Sequence, residues 1–409
     1  MPHDRLDGIL LAELQRLEAE GRRKGAETII AGVLPAKDGR GPRYLIAGEG
    51  DRPFLRMNAN NYLGLSLREE VVLSQDAGVR HFGAGPGAVR FISGTWAPHV
   101  ALERALAAFH GREDVMILSS AYAAVMGLLP PLVTAETALI SDALNHNSII
   151  NAVRLARPRE RAIYAHLDLG ELEARLDEAR KTCRRAIIVT DGVFSMRGDH
   201  APLAEIMTLA RRHDPDFPEN VLVVVDDSHG VGAFGQTGRG TEEQTGARAD
   251  ILVGTLGKAF GVNGGYIAAS GSVISYLRET SPFYIYSNPI SPGEAAAASR
   301  AVAFVDSAAG RDLLRHLRAM TARFRDGLAQ IGLETIAGEH PVVPLMVRDS
   351  ARTAALVAHL RRTGVLATGL NFPVVPKGDE EIRFQICADH TTQDIDEALA
   401  VLAAFARQT

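Results

Sequence analysis

Short, uncharged runs of β-branched and small apolar residues recur through the middle of the chain, at 138–140, 186–190, 221–225, 251–253 and 266–269. Each run is apolar at consecutive positions, so a strand built from it must be covered on both sides. Between the runs the spacing turns helical. Over 171–181, Leu172, Leu176 and Ala179 share one face, and Glu171 and Arg175 form an i,i+4 pair. Asp168 is placed to cap this helix, with Glu171 closing a capping box. The alternation predicts an α/β fold, a large domain with a mostly parallel sheet sandwiched by helices. After Ser291 the texture changes. The alanine-rich stretch that follows reads as long helix, then come strand-like runs at 342–347, 365–367 and 382–386, and a last helix over 392–408. That describes a smaller α+β C-terminal domain. The division predicted is an N-terminal helix and arm (1–57), a large domain (58–292) and a small domain (293–409). Leu6, Ile9, Leu10, Leu14 and Leu17 give the first helix an apolar stripe, which is expected to pack on the small domain.

Composition removes several classes of function. With 44 basic and 49 acidic residues the net charge is −5, the wrong sign for a nucleic-acid binder or for an anionic membrane surface. The N-terminus lacks the basic start and apolar block of a signal peptide, and two cysteines, Cys183 and Cys387, are too few for a disulfide framework or a zinc cluster. A cytoplasmic protein without a structural metal is expected. The uncharged stretches 115–135 and 259–277 contain Pro130 and Pro131 in the first and four glycines in the second, and read as buried soluble segments, not membrane spans.

Three nucleotide motifs begin and do not finish. Gly230, Gly232 and Gly235 match G-x-G-x-x-G, but the polar, glycine-rich residues after them cannot open the required helix. Gly83, Gly85 and Ala88 follow no apolar strand. Gly257-Lys258 lacks the first glycine and the hydroxyl residue of a P-loop. Asp227-Ser228-His229 are sequence neighbours and cannot form a hydrolase relay, and there is no G-x-S-x-G elbow.

What remains suits pyridoxal phosphate, which needs a lysine for a Schiff base, an acid facing its pyridine nitrogen and a phosphate cradle. Polar residues follow four of the strand-like runs, Ser141-Asp142, Asp191, Asp226-Asp227 and Thr255, where open α/β sheets bind ligands. Lys258 lies just past a strand between glycines, Asp226 ends the most apolar run, and Ser119-Ser120-Ala121-Tyr122 leads into a helix whose first amides could bind phosphate.

With these residues in place, the sequence resembles the α-oxoamine synthase family of fold-type-I pyridoxal-phosphate enzymes, nearest the branch that joins glycine to acetyl-CoA. The resemblance runs from about residue 20 to about 406, through NANNYLGL (58–65), VRFISGT (89–95), LISDALNHNSII (139–150), VTDGVFSMRGD (189–199), VVDDSHGVGAFGQTGRG (224–240), GTLGKAFG (254–261), YSNPISP (286–292), FPVVPKG (372–378) and IRFQICADH (382–390). It implies that Lys258 carries the cofactor and moves the substrate Cα proton, and that Asp226 pairs with the pyridine nitrogen. It implies that His146 stacks on the ring, that His229 and Ser195 contact the ring hydroxyl, and that Ala121, Tyr122 and Thr255 bind the phosphate. Ser287 and Asn288 would complete that cradle from the other subunit of a homodimer with shared active sites. Arg383 would hold the substrate carboxylate by a two-point pair, with Asn61 near the amino acid and acyl group. The implied reaction condenses glycine with an acyl-CoA and expels CoA; with acetyl-CoA the product is 2-amino-3-ketobutyrate. Alanine, serine or longer acyl-CoAs are the alternatives within the family, and a plain aminotransferase or lyase is the alternative on the same fold. The sequence departs from the acetyl-transferring pattern at 121–125, at 95–99 with Trp96, and at Asp389, departures that leave the cofactor reading in place and open the choice of acyl group.

Overall fold

The computed structural model describes residues 3–20, 22–23, 26–372 and 374–407. Seven strands make the central sheet, in the order Asp114–Leu118, Gly265–Ala269, Ile251–Thr255, Val221–Asp226, Arg185–Asp191, Thr137–Asp142 and Glu160–Tyr164. All run parallel except Gly265–Ala269, which is antiparallel to both neighbours. Along each inner strand alternate residues enter opposite cores. Ala186, Ile188, Val223 and Val225 face one, and Ile187, Val189 and Val224 face the other. Burying each such side chain contributes about 1.5–3 kcal/mol, which is why the runs are apolar at every position. Helices Ala121–Leu132, Asn147–Ala156 and Gly271–Thr280 cover one side. Ala97–His110, Leu169–Ala179 and Leu203–His213 cover the other.

Two strands of the central sheet escaped the sequence reading. Asp114–Leu118 is the front of an uncharged stretch that continues into helix Ala121–Leu132. Glu160–Tyr164 is a sheet-edge strand whose charged residues hide its pattern. The predicted 171–181 helix is Leu169–Ala179. Asp168 does cap it, accepting from the Glu171 amide at 2.9 Å, but the capping box does not close, because the Glu171 carboxylate turns to the Ala165 amide and to Arg175. The alanine-rich stretch is two helices, Pro292–Val305 and Ala308–Gln330, the second capped by Ser307. The first packs on Glu69–Phe82 and Ala97–His110; Gly293 permits this, since a Cβ there would lie 2.6 Å from Val79.

A three-stranded antiparallel sheet, Val342–Met346, Glu381–Gln385 and Thr368–Leu370, forms beyond residue 340. Val365–Leu366 is not part of it and pairs in parallel with Leu55–Arg56 of the N-terminal arm. A second tie is the buried Arg43–Asp394 ion pair at 2.7 Å. The last helix is Thr392–Ala406; the predicted Gln408 end, like Pro373 of the FPVVPKG segment, lies outside the described residues. Helix Asp4–Ala19 forms with its apolar stripe, but it buries no residue and does not pack on the small sheet, leaving Ile9 66% exposed. Among the described residues no helix is long and apolar enough to cross a membrane.

Candidate active site

Because Thr137–Asp142, Arg185–Asp191, Val221–Asp226 and Ile251–Thr255 run parallel, their carboxyl ends meet at one edge of the sheet. A cavity of about 240 Å³ opens there, and Ala121, Tyr122, His146, Ser195, Asp226, His229, Thr255 and Lys258 all line it. Eight positions spread over residues 121–258 are thus brought together by strand order.

One end of the cavity offers the backbone donors that an anion needs. Ser120 caps helix Ala121–Leu132 by accepting from the Ala123 amide at 3.1 Å. The amides of Ala121 and Tyr122, in the first turn, have no carbonyl four residues back within the helix. Gly265 on the neighbouring strand makes the seat possible, because a Cβ there would stand 2.1 Å from the Ala121 nitrogen. The Thr255 hydroxyl accepts from the Gly257 amide at 3.1 Å and donates to the Gly264 carbonyl at 3.2 Å, which fixes the turn before Lys258.

The other end is acidic. Asp226 Oδ1 accepts from the Ser228 hydroxyl at 2.6 Å and from its amide at 3.2 Å. The strand register sets Asp191 directly beside Asp226. Asp191 Oδ2 accepts from the His146 amide at 3.1 Å, while Oδ1 is buried without a hydrogen-bond partner. Burial, reinforced by Asp226, pushes the Asp191 carboxyl well above the usual range. Lys258 faces both acids, yet burial dominates and brings its ammonium down to about 8.

The side walls carry two histidines with different surroundings. His229 is buried, and burial followed by the charge of Lys258 holds its imidazole well below the ordinary value, so the ring is neutral. The Tyr62 hydroxyl lies 2.7 Å from His229 Nδ1. With Tyr62 donating, the proton of the neutral ring sits on Nε2. His340 Nε2 donates to the His229 carbonyl at 2.9 Å, its own Nδ1 taking the Val342 amide. His146 caps helix Asn147–Ala156 through Nδ1. His146 is exposed to solvent, yet crowding by the surrounding protein outweighs the raising charge of Asp226 and, with a smaller push from Lys258, lowers its pKa.

This donor and acceptor set fits pyridoxal phosphate. The cavity has amides for a phosphate, a neutral imidazole for a ring hydroxyl, the Asp226 carboxylate for a ring N–H, and a lysine for a Schiff base. Sequence reasoning missed Asp191 as a site residue, together with Ser120, Ser148, Val193 and Ser228, which also line the cavity. Asp191 was visible only as one of several polar strand ends. Asp142, another of them, stays out of the cavity, and Asp227 is a scaffold carboxyl that accepts from the Thr241 amide and hydroxyl at 2.7 and 2.6 Å.

Four predicted residues do not line the cavity of this chain. Arg383 lies behind Ser195, donating to its carbonyl at 2.9 Å; with the Gln385 amide turned so that its oxygen faces the guanidinium, Arg383 donates to that oxygen at 2.6 and 2.7 Å. Asn61 donates to Ser66 at 2.8 Å. Ser287 and Asn288 lie in a surface loop. Trp96 is also outside, its indole N–H donating to the Pro86 carbonyl at 3.1 Å and its ring packed on Phe82. A larger hollow of about 600 Å³, lined in part by Arg112, Arg211 and Arg248, opens at the opposite edge of the sheet and contains none of the motif residues.

Comparison with known proteins agrees with this chemistry. The family described as aminotransferase class I and II matches residues 52–402. The 2-amino-3-ketobutyrate coenzyme A ligase of Escherichia coli strain K12 is 42% identical over 354 residues, 86% of this chain and 87% of that one. The 8-amino-7-oxononanoate synthase of Thermosipho melanesiensis is 40% identical over 347 residues, 84% of this chain and 86% of that one. Among solved structures, serine palmitoyltransferase from S. paucimobilis with a bound PLP–myriocin aldimine superposes with a TM-score of 0.87 at 26% identity, covering 99% of this chain and 98% of that one.

Proposed function

The chain belongs to the class I and II aminotransferase family and, within it, to the pyridoxal-phosphate-dependent α-oxoamine synthases; from that premise we propose that it condenses glycine with an acyl-CoA, acetyl-CoA first among them, giving 2-amino-3-ketobutyrate and CoA. The observation that carries the chemistry is the single cavity holding Lys258, paired acids and helix-start amides. Support for the substrate pair is the 42% identity to a protein named for that product.

When bound, the cofactor supplies an electron sink for a carbanion at the amino-acid Cα. Lys258 would hold the cofactor through Nζ and afterwards take the proton from Cα. With its ammonium at about 8, a useful fraction is neutral and able to accept. Asp226, carboxylate toward the pyridine nitrogen, would keep that nitrogen protonated. His229 Nε2–H and the Ser195 hydroxyl would donate to the ring hydroxyl. His146 would cover one ring face. Ala121, Tyr122 and Thr255 would hold the phosphate, with the helix dipole favouring its charge. Arg383 would bind the substrate carboxylate, and Asn61 would lie beside the acyl group once turned from Ser66.

We further read the protein as a homodimer. Tyr286, 80% exposed, adjoins Ser287 and Asn288, and Phe91 and Ile92 are 66% and 68% exposed, apolar surface suited to a second copy. Ser287 and Asn288 would then reach the partner's phosphate seat. The same reading keeps an arm (1–57), a cofactor-binding domain (58–292) and a smaller domain (293–409), whose first helix lies on the cofactor-binding one.

A second substrate reading, alanine or serine with a longer acyl-CoA, is favoured by the 40% identity to the oxononanoate synthase and the likeness to serine palmitoyltransferase. Thiol release from a panel of acyl-CoAs with glycine, alanine and serine separates the two. Fast release only with glycine and acetyl-CoA is expected; release only with another pair changes the substrate, and none with any pair overturns the condensation.

A further inference from the structure

His166 bridges two carboxylates that belong to different parts of the fold. Its Nδ1 lies 3.0 Å from Asp142 Oδ1, at the end of strand Thr137–Asp142, and its Nε2 lies 3.2 Å from Asp199 Oδ2, in the loop that follows Arg185–Asp191. Carboxylates only accept, so both contacts need a ring N–H, and only the imidazolium has two. Asp142 is itself held by backbone, accepting from the Leu144 amide at 2.8 Å and the Leu167 amide at 3.0 Å. Leu167 holds a left-handed φ of 59°, a conformation unfavourable for a non-glycine residue that is maintained here beside the bridge. The edge of the imidazole meets the Phe194 ring at 4.4 Å. The charged groups facing the ring are Asp142 from its strand and Asp199 from the loop, with Arg197 neutralising Asp199 at 2.9 Å.

The bridged loop is the one that serves the cavity. It carries Val193 and Ser195 into the lining, and the Ser195 carbonyl is the group that receives Arg383. We propose that His166, as the imidazolium, is a positioning residue for amino-acid recognition: it locks the 192–200 loop to the Thr137–Asp142 strand and so holds Arg383 at the substrate carboxylate. This rests on the reading of Arg383 given above. Burial opposes the charge, but the two carboxylates prevail and raise the imidazole to about 9, so the bridge is intact at neutral pH.

The test uses the holoenzyme with His166→Gln, which keeps one amide donor but no charge, and Arg383→Ala alongside. His166→Gln is expected to raise the KM for glycine about tenfold, as loss of a charged hydrogen bond does, with the KM for acetyl-CoA nearly unchanged. Amide hydrogens of 192–200 should exchange faster in the variant, with and without cofactor. Asp199→Asn should reproduce both effects, and His166→Gln should add little in that background. If His166→Gln does not fold, Asp199→Asn carries the same predictions alone. An equal rise in both KM values, or no rise, while Arg383→Ala remains glycine-specific, overturns the role of His166 and leaves the site reading standing. An Arg383→Ala variant with no glycine-specific loss overturns both.

Discussion

Gly265→Ala tests the anion seat without touching any residue that contacts the cofactor through its side chain. The added Cβ would lie 2.1 Å from the Ala121 nitrogen, 2.3 Å from the Ser120 carbonyl carbon and 2.5 Å from Ala121 Cα. All three are backbone atoms, so no side chain can swing away, and helix Ala121–Leu132 must move by about an ångström at its first turn. Gly265 is paired on both sides, with Leu118 and with Thr255, so the strand cannot yield instead. Overpacking of this kind costs about 1–3 kcal/mol of stability. The displaced amides of Ala121 and Tyr122 would lose alignment with the phosphate. A hydrogen bond to a charged group is worth about 1.5–3 kcal/mol, so losing one weakens cofactor binding by roughly tenfold to a hundredfold. The assay is titration of the apoprotein with pyridoxal phosphate, followed by absorbance, beside urea unfolding. Gly170→Ala is the control, since its Cβ would meet only Asp168 Oδ1 at an ordinary 3.4 Å in a helix. A Gly265→Ala protein that binds the cofactor within twofold of wild type would refute the seat. Lost stability with unchanged affinity would place the phosphate elsewhere.

Lys258→Ala should abolish thiol release while leaving the fold intact by circular dichroism, and full activity would sink the assignment. Glu103→Ala should cost about 3–5 kcal/mol in urea unfolding, because it strands the buried Arg90 guanidinium now held at 3.1 Å by both carboxylate oxygens. His166 gives stability a pH dependence of known sign. Its folded pKa is raised, so its contribution is complete below about 6.5, the unfolded value, and disappears as pH rises through about 9. Melting temperatures measured from pH 6 to 10 should therefore fall more for wild type than for His166→Gln; parallel curves would contradict this.

Much of the architecture was present in the residue pattern, for a physical reason. A strand covered on both faces has no position that tolerates charge, so 186–190 and 221–225 announce a parallel sheet by themselves. Lys258 stood out because a long charged side chain between a strand end and glycines has no ordinary surface role. The limits are as physical. Glu171 had the right spacing to close a capping box, but the Ala165 amide competes for its carboxylate, and only the folded loop brings that amide near. Glu160–Tyr164 lies at a sheet edge, where exposure permits the charges that conceal a strand. The arm and the last helix are joined by Arg43 and Asp394, a contact with no local signal.

The class of fold, the chemistry-bearing residue types and the strand ends on which they sit are legible in the residue pattern, because these follow from burial and local spacing. Tertiary structure alone decided which strand ends adjoin. Parallel register set Asp191 beside Asp226 and made a carboxyl pair of two separate loop starts. It left Asp142 outside the cavity and gave it to His166, and it placed Arg383 behind Ser195. Each of these pairings depends on long-range strand order, which many sequences with the same local pattern could have arranged differently.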